Sequence, residues 1–87
     1  MAKPPVEAYI FIEVVPIAGQ ELLRPIIDIK GVNKASYVNG GPLEDGSIIA
    51  EIYAKDQNSY MNTIKEINRI SGVKNIYTSQ VVKSVKK

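Results

Sequence analysis

The sequence has no cysteine, no histidine and no tryptophan among its 87 residues. Without cysteine, neither a disulfide nor a thiolate metal site can form. Without histidine, the commonest general base and the commonest transition-metal ligand are missing, so any catalysis would fall to Asp, Glu, Tyr, Lys, Arg, Ser or Thr. No apolar run approaches the roughly 20 residues of a membrane-spanning helix. The opening Met1-Ala2-Lys3-Pro4-Pro5 lacks the apolar core and cleavage site of a secretory signal. The expectation is a cytoplasmic protein with no membrane contact and no cofactor. The net charge of +2 is mild, and Lys83, Lys86 and Lys87 supply part of the excess at the C-terminus. Nucleic-acid binders concentrate basic residues on one face, and no such concentration is visible. A chain of this length makes one small domain with a limited core, for which self-association is the natural reinforcement.

What is present begins with a repeat. Ile29-Lys30-Gly31-Val32 returns as Ile70-Ser71-Gly72-Val73, and each copy closes a helix-like run and opens a strand-like one. Glycine just past a helix end can take φ > 0 without a Cβ clash, and the valine after it suits an extended strand. Two β-α-β halves predict an α+β fold, a ferredoxin-like β-α-β-β-α-β sandwich with a four-stranded antiparallel sheet and two helices on one face. The domain is expected over 8–83, after an extended leader at 1–7 and before a basic tail at 84–87.

Strands are expected from Ala8 to Val15, Val32 to Asn39, Ser47 to Lys55 and Val73 to about Val85. A helix is expected over Gln20 to Ile29, kinking or starting at Pro25. A second follows Asp56 as N-cap, with Tyr60, Ile64, Ile67 and Ile70 at helical spacing. Alternation divides the first strand into Ala8, Ile10, Ile12 and Val14 against Tyr9, Phe11, Glu13 and Val15. The third divides into Ile48, Ala50, Ile52 and Ala54 against Ile49, Glu51, Tyr53 and Lys55. The all-aliphatic set belongs under the helices. The other set leaves Tyr9, Phe11, Ile49 and Tyr53 uncovered, and a patch of that kind on a small domain marks an interface.

Chemistry is thinner. Glu13 and Glu51 share a face of strands expected to be neighbours, so a carboxylate pair is geometrically possible. No accompanying motif supports it, and a rim around a partner surface is the favoured reading. Glu44 and Asp45 lack the alternating oxygen ligands of a calcium loop, and a solvated loop is expected. Gly40-Gly41 is followed by a strand, so it is not a phosphate loop. Either its bare amides approach a small ligand closely or its glycines simply make the turn. Tyr9, Phe11 and Tyr53 are placed like an RNA-stacking platform, but Glu13 and Glu51 put negative charge where phosphates would pass.

These pieces, in order, resemble the effector-binding (RAM) domain of the Lrp/AsnC regulators. The matching segments are Tyr9 to Val14, Gly31-Val32, Gly40-Gly41-Pro42, Ile48 to Asp56, Gly72-Val73, and Thr78 before Val81-Val82. Two departures stand out. Leu43-Glu44-Asp45-Gly46-Ser47 intervenes where relatives run straight into the strand, so the family aspartate falls on Asp45 or on Ser47. Met1 to Glu7 leaves no room for the helix-turn-helix domain of the full regulators. The resemblance implies a stand-alone module of the dimeric α+β barrel type, a homodimer or a ring of dimers, paired through Tyr9, Phe11, Ile49 and Tyr53. It implies an amino-acid effector held between subunits by Gly40, Gly41, Asp45 or Ser47, and Thr78. No direct DNA binding is expected, and co-assembly with a full-length Lrp/AsnC regulator is the implied route to regulation. The alternatives are a small enzyme on the same barrel and a ligand-free scaffold subunit.

Overall fold

Both Ile-x-Gly-Val phrases perform the same backbone manoeuvre. In the computed structural model, which describes residues 4–15, 19–39 and 47–87, Gly31 has φ 100° and Gly72 has φ 102°. The valine amide that follows each glycine donates to the isoleucine carbonyl three residues back, at 3.1 Å for Val32 to Ile29 and 3.2 Å for Val73 to Ile70. Each glycine carbonyl then accepts a backbone amide at 2.9 Å, that of Tyr53 onto Gly31 and that of Val15, just past the end of a strand, onto Gly72. The repeat is therefore a helix-to-strand corner used twice.

The elements are β1 (Val6–Val14), α1 (Leu23–Ile27), β2 (Val32–Val38), β3 (Ser47–Ala54), α2 (Gln57–Asn68) and β4 (Val73–Gln80). The sheet order is β2-β3-β1-β4, and every neighbouring pair is antiparallel. This is the ferredoxin-like β-α-β-β-α-β sandwich. The first helix is shorter than its apolar spacing predicts: a 3-10 turn at Gln20–Leu22 leads into five α-helical residues. Pro25 is the third of them, in the first turn of the α-helical segment, where proline is best tolerated. β1 opens at Val6, inside the expected leader, and β4 stops at Gln80, short of Val85. The last link there is the Val81 amide on the Glu7 carbonyl at 2.8 Å. Beyond it β1 offers only Pro5 and Pro4, which lack the amides to continue a ladder.

The helices cover one side of the sheet. Val6, Ala8, Ile10, Ile12 and Val14 of β1 join Ile48, Ala50, Ile52 and Ala54 of β3 in a core closed by Leu22, Ile26, Tyr60 and Ile67. Small residues face large ones across the strand pair, Ile10 opposite Ala50 and Ala8 opposite Ile52, so the helices can seat closely. Ile10, Ile12, Ile26, Ile48 and Ile67 are wholly buried, each worth roughly 2–3 kcal/mol of transfer free energy. α2 starts as its sequence predicts: the Asp56 carboxylate accepts the Ser59 amide at 2.8 Å. Its Thr63 Oγ1 lies 2.8 Å from the Lys30 carbonyl and 3.1 Å from the Ser59 carbonyl, so one hydroxyl proton ties α2 to the entry of β2.

A second duplication is not visible in the residue types. Asn33 is an extra residue between the Val32–Ile52 and Lys34–Glu51 pairs, and Lys74 is extra between the Val73–Val14 and Asn75–Glu13 pairs. Each bulge falls one residue after a Gly-Val corner. A bulge shifts the alternation beyond it by one residue, and that decides which side chains of the two edge strands reach each face.

Candidate functional site

Directly opposed residues in antiparallel strands share a face, so the register lays out the uncovered side of the sheet in rows. Across β4, β1, β3 and β2 they run Ser79–Tyr9–Glu51–Lys34, then Tyr77–Phe11–Ile49–Ser36, then Asn75–Glu13–Ser47–Val38, with Glu7–Tyr53 at one end. The middle row is the apolar one. Tyr9, Tyr53 and Tyr77 are 47%, 48% and 49% exposed, and Phe11 and Ile49 between them are half-buried. All four residues expected on the uncovered face lie there. Tyr77 is a fifth, and sequence alternation misses it: counted from Val73, Tyr77 belongs under the helices. The extra residue at Lys74 turns it outward.

The same bulge moves Thr78. Its opposite number is Ile10, so Thr78 lies on the helix side of the sheet, exposed at the edge strand. Ser47 sits in the uncovered alternation opposite Glu13, yet is only 1% exposed, and its hydroxyl has no hydrogen-bond partner among the described residues. Within one chain the two hydroxyls occupy opposite faces and do not meet. Gly40, Gly41 and Asp45, the other residues expected at the effector site, lie outside the described residues, as does Glu44.

The carboxylate pair does not form. Glu51 stands opposite Tyr9, four residues along β1 from Glu13, a separation of about 13 Å at the rise of a strand. Each is also engaged with its own edge strand. Glu13 accepts from Asn75 Nδ2 at 2.9 Å and lies 3.8 Å from Lys74 Nζ; Glu51 lies 4.0 Å from Lys34 Nζ. Among the described residues no three acidic side chains converge on a metal position, and no helix is long and apolar enough to cross a membrane.

A concavity of ligand size lies elsewhere among the described residues. A cleft of about 460 Å3 opens between α2 and the end of the sheet where β2 begins and β3 finishes, lined by Lys30, Gly31, Lys55, Asn62 and Glu66 among others. It lies at the opposite end of β2 and β3 from Val38 and Ser47. Sequence reading missed it because Lys30, Lys55 and Asn62 are ordinary surface residues until the Gly31 corner brings α2 against the strand ends.

The comparisons with known proteins agree with this geometry. The profile of the Lrp/AsnC ligand binding domain matches residues 7–87. Among solved structures, TTHA0845 from Thermus thermophilus superposes with a TM-score of 0.80 at 19% identity, over 94% of this chain and 99% of that one. AsnC of E. coli superposes equally well, with a TM-score of 0.80 at 18% identity over 94% of this chain; the match spans only 54% of AsnC. The E. coli Tat proofreading chaperone NapD follows with a TM-score of 0.72 at 16% identity, over 100% of this chain and 85% of that one. Likenesses at such identities establish the fold alone, and no curated protein matches the sequence significantly. The family profile goes further, because it spans almost the whole chain: the protein belongs to the Lrp/AsnC ligand-binding domain family.

Proposed function

We propose that this chain is an effector-sensing and self-associating domain, two copies pairing uncovered face to uncovered face and an amino acid binding between subunits. The observation that carries the reading is the middle row of the open sheet. Tyr77, Phe11 and Ile49 form an apolar stripe with Tyr9 and Tyr53 beside it, flanked by the Glu51–Lys34 and Glu13–Asn75 rows. An apolar centre rich in tyrosine inside a polar rim is the anatomy of a protein interface. A two-fold contact would set the stripe of one copy against the same stripe of the next.

The effector residues follow from the family. Gly40, Gly41 and either Asp45 or Ser47 would contribute from one subunit and Thr78 from another, which suits two hydroxyls, those of Ser47 and Thr78, that lie on opposite faces of one chain. Backbone amides and a hydroxyl would receive the ligand's α-carboxylate, and a carboxylate its ammonium. The buried Ser47 hydroxyl, unpartnered among the described residues, supports a role beside that loop. A binding role is favoured over an enzymatic one because Glu13 and Glu51 are far apart and each is paired. We place the protein in the cytoplasm, acting without a DNA reader within these residues and through co-assembly with a full-length Lrp/AsnC regulator.

Sedimentation and a thermal screen test the two halves of the proposal. A dimer or larger species that survives dilution to micromolar concentration is expected, and a monomer would sink the assembly half. A matching amino acid at about ten times its Kd adds roughly 1.4 kcal/mol, about 5 °C or more in Tm for a domain of this size. If none of the common amino acids shifts Tm at millimolar concentration, the sensing half fails.

A further inference from the structure

The cleft beside α2 is formed within a single chain, at the end of β2 and β3 away from Ser47. Its polar lining differs from that of the open face. There Glu13, Glu51, Lys34 and Lys74 are in ion pairs; in the cleft, Lys30, Lys55 and Glu66 are in none among the described residues. Asn33, Ser59 and Asn62 add hydrogen-bonding groups. Asn33 is there because of the bulge: it is the extra residue of β2, and bulges re-aim side chains. Its counterpart in the second half, Lys74, is engaged by Glu13 instead. The floor is fixed by the Thr63 hydroxyl on the Lys30 carbonyl at 2.8 Å. A Cβ at Gly31 would come within 2.7 Å of Thr63 Oγ1, so only glycine lets α2 sit this close. The first-turn amide of Ser59 is already taken by Asp56, so the Ser59 backbone is not offered to a ligand.

We propose that this cleft is a second ligand site, for a small carboxylic acid that also carries a hydroxyl or amino donor. Lys30 and Lys55 would meet the carboxylate oxygens, and Glu66 would accept from the donor. The lining carries two ammonium groups and one carboxylate, and that fixes the class. A bare anion would leave Glu66 facing negative charge, whereas a ligand with a donor beside its carboxylate satisfies all three groups. The volume falls within the range of small-molecule sites.

The test is a backbone-amide NMR titration of the full chain with L-malate, L-aspartate, succinate and inorganic phosphate as probes. Saturable shifts at Gly31, Asn33, Ser59 and Asn62 are expected with malate, aspartate or both, and the two separate a hydroxy acid from an amino acid. Succinate and phosphate should bind about tenfold more weakly, the loss expected for one missing contact to a charged group. Lys30→Gln and Lys55→Gln should each weaken binding about tenfold, and Glu66→Gln should abolish the preference over succinate. All three side chains are exposed, so the variants should fold. The proposal is overturned if no probe shifts the cleft amides at about 10 mM, a Kd weaker than any specific small-molecule contact set would give. It is equally overturned if succinate or phosphate binds as tightly as malate and aspartate, or if shifts appear only around Ser47 and Thr78. Repeating the titration on Phe11→Asp separates this site from the intersubunit one: the cleft shifts should persist in a chain that no longer self-associates.

Discussion

The two faces of this sheet are made from alternate residues of the same strands, and they meet opposite ends. Ile10 and Ile12 are wholly buried beneath the helices, while Tyr9 on the other side is about half exposed and Phe11 only half-buried. Both faces carry large apolar side chains, so hydrophobicity alone does not tell them apart. The difference is polar company. The covered side of β1 and β3 is aliphatic throughout; the open side mixes Tyr, Phe and Ile with Glu13 and Glu51, whose charges are answered from the edge strands. A surface that must survive alone in water yet close on a partner has reason to be built this way.

The sharpest way to break that comparison is one truncation on each side. Ile12→Ala should cost about 3 kcal/mol in urea unfolding, since a wholly buried isoleucine leaves a cavity under both helices. Phe11→Ala, one residue away, should change the stability of the isolated chain by about 1 kcal/mol or less. Equal losses at both positions would mean that the open face is packed within the chain. The next effect belongs to assembly. Phe11→Asp or Tyr53→Asp should leave the circular dichroism spectrum intact and weaken self-association by at least about 2 kcal/mol, the scale of a central interface residue; sedimentation equilibrium reads this directly. An unchanged association constant would move the interface elsewhere.

The fold was legible in the sequence because its strongest signals are local. A Gly-Val corner, an Asp N-cap and strict alternation in β1 and β3 each act within a few residues, and two copies of the corner set the order of elements. The edge strands were legible only as strands. Nothing in Val32-Asn33-Lys34 or Val73-Lys74-Asn75 announces a bulge, because a bulge is a property of pairing and not of residue type. It nonetheless decides that Tyr77 joins the open face and that Thr78 does not. The cleft was hidden for a related reason: its lining comes from three segments that meet only after the corner at Gly31 has formed. Of the expected effector residues, Ser47 and Thr78 are placed, while Gly40, Gly41 and Asp45 fall outside the described residues. That site therefore rests on family resemblance more than on geometry.

A smaller comparison lies between the two corners. Gly31 and Gly72 hold nearly the same φ, so alanine at either incurs the left-handed penalty of about 1 kcal/mol. The Thr63 contact is particular to Gly31, where an added methyl would press on the hydroxyl that ties α2 to β2. Gly31→Ala should therefore cost about 2 kcal/mol and Gly72→Ala about half that, measured by urea midpoint. Equal costs would mean that α2 yields without loss and that the tie is slack.

The smallest expected effect tests whether the charges on the open face hold the chain together or serve only its outer surface. Lys34 and Glu51 are 68% and 45% exposed at 4.0 Å, so solvent screens the pair and rotamer freedom opposes it. Lys34→Gln in the Phe11→Asp background should shift the unfolding free energy by no more than about 0.5 kcal/mol. In the otherwise unaltered chain the same change should make self-association more sensitive to salt, because a flanking charge sets how two like faces approach each other. If Lys34→Gln instead destabilised the isolated chain by more than about 1 kcal/mol, the polar rows would belong to the monomer's own stability. The contrast between a covered face that builds the fold and an open face that waits for a partner would then be weaker than the burial pattern implies.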